Sequence, residues 1–241
     1  MPLFDPLVVS SLMVLASNGD VCKMPKPTEI TITPSTQKVQ IVNNQTLAQM
    51  QAQKTDTINP HSFNGVSVTQ GFAQGKIRME AEVKLDSEAV YGGRAGCIWY
   101  ESINVKFSID PYIYIAKEVY QDLCMRKAVL DHEMKHVNVD KQVVNKYSRE
   151  VGRKIFDGLE QRGFIAGPIR PDDYEATAER MRQTVKQIID LEMKRMELDR
   201  MDMQGLVDTK EEYDRVAAQC PRFKITDEML QTSAGQAYKR R

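Results

Sequence analysis

Two of the three histidines in this chain stand four residues apart in His132-Glu133-Met134-Lys135-His136, with a glutamate directly after the first. On a helix, residues four apart differ by one turn and about 40°, so both imidazoles can reach a single ion. The intervening Glu133 then points toward the water that the ion holds. Bound zinc lowers the pKa of such water toward ~7, and Glu133 is placed to accept its proton as general base. The spacing therefore predicts metal-assisted hydrolysis, with Zn2+ as cofactor, His132 and His136 as ligands and Glu133 as catalytic base.

A catalytic zinc takes three protein ligands and a water, and the third ligand is open. His61 is the remaining histidine, and in the polar loop after Asn59-Pro60 it reads as a solvated side chain. Asp140 shares the histidine stripe, but it stands about 12 Å along the axis from His132 and about 80° around it. It reads better as a partner that fixes His136 than as a ligand, and stays a candidate for both. Glu192 is the other candidate, because it falls on the apolar face of the following helix between Ile188 and Met196, where an unpaired carboxylate is costly. Glu175 and Glu179 read as solvated helix residues.

The elements that must position these groups follow from periodicity. Val129, His132, His136, Asp140, Val143 and Tyr147 step by three or four, so a long helix is expected from about residue 125 to Gly152 or Gly158. Upstream, Ile77, Met79, Ala81, Val83 and Leu85 alternate with Arg78, Glu80, Glu82 and Lys84, the period of a strand with one buried face. A second strand follows over 97–109, Pro111 interrupts it, and 112–116 gives a third. Short strands are expected at 28–33 and 38–42, and a short helix at 46–53. Beyond the break at 163–171, Asp172 and Asp173 can cap a second long helix that runs to about residue 203. Gly205 and Val207-Asp208 mark a turn, and a last helical piece covers 211–219.

The balance of charges narrows the partners. Thirty-three basic and thirty-three acidic side chains give a formal net charge of zero, so no global field draws a nucleic acid backbone, and nucleic acid is not expected as a partner. With 41% hydrophobic residues the chain can bury a core, yet no run approaches the ~20 apolar residues of a membrane span. Residues 1–19 read as an export signal with its apolar centre from Leu7 to Ala16. Asp5 and the lack of a basic residue before Lys23 point either to a start codon placed too late or to an ordinary buried strand or helix in place of the signal. Four cysteines with no C-x-x-C pair allow two disulfides in any of three pairings, which agrees with a periplasmic or secreted protein. In linear order this gives an extended lead-in over 20–75, a sheet and active helix over 76–165, and C-terminal helices with a tail over 166–241.

The stretch Cys97-Ile98-Trp99-Tyr100-Glu101-Ser102-Ile103, then 112–116, then Leu130-Asp131-His132-Glu133-Met134-Lys135-His136-Val137 with Asp140, Val143 and Tyr147, resembles the bacterial DUF922 family of predicted secreted zinc-dependent proteases. The likeness covers about residues 75–160 and is weaker around 44–53. It implies a zinc-peptidase-like domain, and cysteines matching Cys97 and Cys124 recur in the family. Some relatives carry a Tyr-Asp pair followed by His-Gly. Here Tyr213 and Asp214 are present but Ala217 and Ala218 follow, so a ligand role for that histidine has no counterpart.

Together these readings predict an α+β, zincin-like fold: a small antiparallel sheet of three to five strands packed on the histidine helix, with the next helix folded back as a hairpin. A disulfide between Cys97, which opens the second strand, and Cys124, just before the helix, would clamp the two together, with Cys22 and Cys220 left to pair or stay free. The expected function is zinc-dependent hydrolysis of peptide bonds in the bacterial envelope, with a peptide or protein substrate held along an edge strand. The alternative is a non-catalytic envelope module whose histidine helix is a relic or a structural metal site.

Overall fold

The computed structural model describes residues 21–51 and 68–231, together with the backbone of 7–9. In chain order its elements are β1 (Leu7–Val9), β2 (Glu29–Thr36), β3 (Gln40–Val42), α1 (Leu47–Gln51), β4 (Gly71–Val90), β5 (Ala95–Ile115), α2 (Lys117–Gln121), α3 (Leu123–Arg162), β6 (Ile165–Ile169), α4 (Tyr174–Gly205) and α5 (Lys210–Gln219). The class is α+β, as the periodicities require. The export-signal reading of 1–19 falls outside the described residues except at 7–9, and His61 lies outside them altogether.

The sheet departs from expectation in two ways. It is mixed rather than antiparallel: β3 runs parallel to β5, with Gln40 beside Tyr112, Ile41 beside Ile113 and Val42 beside Tyr114. Alternation reports that one face is buried and is blind to the direction of the neighbouring strand. The second and third expected strands are also one. β5 passes through Pro111 with its odd-numbered residues buried from Ile103 to Ile115. Proline lacks a backbone donor, so it is tolerated where the ladder asks for none. Pro111 falls between Ile109, whose carbonyl accepts from Gln37 N–H, and Tyr112, the first residue paired with β3.

The chain folds as two compact units interleaved in sequence. The first comprises Met1–Ser35, Arg78–Ser108 and Val144–Glu197, and the second Thr36–Ile77, Ile109–Val143 and Leu198–Arg241. Neither coincides with the consecutive blocks 20–75, 76–165 and 166–241. In the first unit β1 is antiparallel to β2, and β6 is antiparallel to the start of β5. Its core includes Ile30, Ile32, Ile98, Ile103, Val105 and Phe107. The hydroxyl of buried Tyr100 donates to the Met181 carbonyl at 2.8 Å, tying β5 to α4. Helices α3 and α4 approach closely as a hairpin: a Cβ on Gly158 would lie 2.6 Å from Ile188 Cδ1. That contact explains why α3 runs on through Gly158 and ends only at Gly163, whose φ of +99° and N–H bond to the Leu159 carbonyl stop the helix.

The second unit is built on the first part of α3. Leu47, Met50, Ile113, Ile115, Val119 and Val129 belong to one buried cluster there, joined by Val137 and by Val216 of α5. The helix turns a continuous stripe inward, from Met125 through Ala128, Val129, His132, Glu133, His136, Val137 and Asp140 to Val143.

The disulfide expected between Cys97 and Cys124 does not form. Cys97 is bonded to Cys22 in the first unit, and Cys124 to Cys220 in the second. Reading Pro111 as a break would let a third strand turn back and bring the two cysteines together. With β5 unbroken, Cys97 stands near its start and Cys124 lies beyond its end, and each is bonded to a cysteine of its own unit. Among the described residues no helix is long and apolar enough to cross a membrane.

Candidate metal centre

His132 and His136 lie on α3 with ring centroids 5.1 Å apart, and both are buried. Their Nε2 atoms converge on one oxygen, Oδ1 of buried Asp208, at 3.3 and 3.2 Å. Ligand atoms of these three residues all fall within 4.8 Å of one another. Asp208 belongs to the turn between α4 and α5, placed there by the helix that follows. Thr209 caps α5 by accepting from Glu212 N–H at 3.2 Å, which fixes the residue just before it.

The other face of each imidazole is held by an acceptor. Gln204 donates its amide N–H groups to the His136 carbonyl at 3.1 Å and to Asp140 Oδ1 at 2.7 Å. Its carbonyl oxygen therefore faces His136, whose Nδ1–H donates to it at 2.5 Å. His132 Nδ1–H donates to Glu212 Oε1 at 3.2 Å. Glu212 is itself clamped by Arg215, at 2.6 and 2.8 Å, and by Lys135 at 2.6 Å. Arg215 foremost, then Lys135 and His132, holds the Glu212 carboxyl far below the usual range despite burial, so it is ionised and only accepts.

With each Nδ1 committed as donor, a neutral imidazole has no proton left for Nε2. Two Nε2 lone pairs and the Asp208 carboxylate then face one another, an arrangement that only a cation satisfies. The donor set of two nitrogens and one carboxylate oxygen fits zinc. Without metal, protons serve in its place. Burial pushes the His132 and His136 pKa values down most strongly, but Asp208, Glu133 and the Nδ1 partners Glu212 and Gln204 together outweigh it, and the net shift of both is upward. Burial likewise pushes Asp208 up, and the two imidazoles overcome it, holding that carboxyl far below its ordinary value.

Glu133 faces β4. Ala73 N–H donates to it, and a Cβ on Gly71 would lie 3.4 Å from its Oε1 and only 2.6 Å from Val129 Cγ1. Burial pushes the Glu133 carboxyl up to about 7, moderated by the two histidines. Two residues on, a Cβ at Gly75 would fall 1.7 Å from Asp140 Oδ2. The alternation Gly71-Phe72-Ala73-Gln74-Gly75 thus puts only small residues against the helix, and this is what lets β4 pass over Glu133 and Asp140. Tyr213 donates its hydroxyl to Asp208 Oδ1 at 3.3 Å, with its ring 5.7 Å from that of His132.

Of the residues singled out from sequence, His132, Glu133, His136 and Asp140 come together. Asp140 reaches His136 only through Gln204, and Arg200 holds it from the far side at 2.6 Å while also bonding the Gly75 carbonyl at 3.1 Å. Glu192 is not in the cluster. It is buried in the first unit with its carboxylate on Arg195 at 2.6 Å, so its cost on an apolar face is met by an arginine rather than a metal. Glu175 and Glu179 lie on α4 beside Arg182, at 3.3 and 3.7 Å. Asp208, Gln204 and Glu212 were not foreseen. One local signal exists: Thr209-Lys210-Glu211-Glu212 has the S/T-x-x-E form of a helix start and so fixes the place of Asp208, without assigning it a ligand role. Comparison with protein-family models, with curated proteins and with solved structures finds no match.

Proposed function

We propose that the chain is an exported zinc-dependent peptidase, with His132, His136 and Asp208 as the protein ligands and Glu133 as the base. The observation that carries the reading is the convergence of two Nε2 lone pairs and a carboxylate beside a buried glutamate in an H-E-x-x-H helix. When bound, zinc supplies Lewis-acid polarisation of the scissile carbonyl and lowers the pKa of its water. Glu133 takes the proton of the attacking water on a carboxylate oxygen and returns it to the leaving amine. Ala73 N–H and the small residues of β4 hold that carboxylate in place. Glu212 and Gln204 keep each imidazole in the tautomer that presents Nε2. Among the described strands β4 pairs with β5 alone, and its other edge offers backbone groups to an extended peptide.

The two disulfides support an oxidising compartment, and the resemblance to the secreted DUF922 proteases points the same way. A second reading, a structural metal site without catalysis, is favoured by the burial of His132, Glu133, His136 and Asp208, none of them more than 8% exposed. Glu133→Gln separates the two. The peptidase reading expects the variant to keep its zinc while hydrolysis of an unfolded protein substrate falls by on the order of 10³-fold or more. Unchanged hydrolysis in the variant, or none in the wild type loaded with zinc, would overturn it.

A further inference from the structure

The first unit contains a cavity of about 250 Å³ that the metal chemistry does not use. Two arginines line it, Arg162 from the end of α3 and Arg180 from α4. Both are anchored at one nitrogen: Arg162 Nη1 donates to the Gly158 carbonyl at 3.3 Å, and Arg180 Nη2 donates to Thr177 Oγ1 at 2.9 Å. The carboxylates nearest in sequence on α4 and just before it are engaged elsewhere. Asp173 bonds Arg170, while Glu175 and Glu179 both bond Arg182. No ion pair of Arg162 or Arg180 with a carboxylate occurs among the described residues.

The rest of the lining includes apolar Ile165, Ala166 and Met181 and the ring of Tyr100, whose hydroxyl is committed to the Met181 carbonyl. Arg162 and Arg180, each already held by the protein, thus line one cavity together with apolar side chains, and no carboxylate residue is among its lining. A guanidinium keeps four further N–H donors when one is used, in a planar array that matches a carboxylate or phosphate. Anchoring the side chains beforehand reduces the entropy lost when a ligand binds.

We infer that this cavity is a binding site for a small ligand bearing an oxyanion, carboxylate or phosphate, on a compact apolar body, with Arg162 and Arg180 clamping the anion. The site is independent of the zinc reading, since no residue of the metal centre lines it.

Calorimetric titration of the full chain tests this with three probes: N-acetyl-leucine, N-acetyl-leucine amide and inorganic phosphate. Saturable binding of N-acetyl-leucine or of phosphate is expected, with the tighter of the two telling whether the anion is a carboxylate on an apolar body or a phosphate. The amide should bind at least about tenfold more weakly than the acid. Arg162→Ala and Arg180→Ala should each weaken the bound anion by about tenfold or more, and Arg182→Ala, whose guanidinium already faces Glu175 and Glu179, should not. All three arginines are exposed, so the variants are expected to fold, and an unchanged circular dichroism spectrum checks it. No saturable binding of either anion up to about 10 mM, or equal affinity in the Arg162→Ala/Arg180→Ala double variant, would overturn the site.

Discussion

Asp208 sits under both imidazoles, where it accepts protons in the metal-free protein and is the proposed third ligand when metal binds, and the two roles have opposite pH signatures. In the metal-free protein the folded pKa values of His132 and His136 are raised, so their contribution to stability is complete below the unfolded value and is lost as pH rises through the folded one. Glu133, with its folded pKa at about 7, adds a loss of the same sign. Metal binding requires both histidines neutral, so zinc affinity rises with pH over that window. The unfolding temperature between about pH 5 and 8 should therefore fall with rising pH in chelator and climb in the presence of zinc. Parallel curves would contradict the competition. At this scale the sequence made the helical ligands legible because H-E-x-x-H is local. Asp208 was not, because a residue 72 positions beyond His136 is brought in by the return of the chain. A polar residue beside Gly205 carries the chemistry of a turn.

Among the elements, β4 and α3 depend on each other through the small residues that face the helix. Gly75→Ala would drive a Cβ into the buried Asp140 carboxylate that Arg200 and Gln204 share. The expected cost is about 1–3 kcal/mol, read from the midpoint of urea unfolding, with loss of part of the zinc affinity. Gly205→Ala, with no atom within 4 Å of the added Cβ, should stay within about 0.5 kcal/mol of wild type. Equal stability of the two variants would show that the approach of strand and helix is not tight. The long helices were legible because their inward stripe is nearly unbroken. The start of β4 was not: residues up to 75 read as an extended lead-in, although Gly71 and Gly75 within a strand mark a close approach of another backbone or side chain. Pro111 misled in the same way, since a proline ends a strand only where the ladder needs its donor.

At the scale of the whole chain, each disulfide joins two cysteines of one unit and closes a long loop: Cys22–Cys97 over 75 residues and Cys124–Cys220 over 96. The chain-entropy argument gives each about 4.5 kcal/mol of stabilisation. Peptide mapping without reduction should recover these two linked pairs; a Cys97–Cys124 peptide would contradict the strand continuity through Pro111. The second bridge joins the start of α3 to the end of α5, and so spans the turn that carries Asp208 and the helix that carries the two histidines. The proposed metal would staple the same unit as this disulfide, so chelation should lower its unfolding temperature in the oxidised protein. The most direct test is zinc content per chain after purification and exhaustive dialysis, compared across the wild type, Asp208→Ala and Glu192→Ala. The expected result is about one zinc in the wild type and in Glu192→Ala, and nearly none in Asp208→Ala. Full zinc in Asp208→Ala would contradict a centre made by His132, His136 and Asp208.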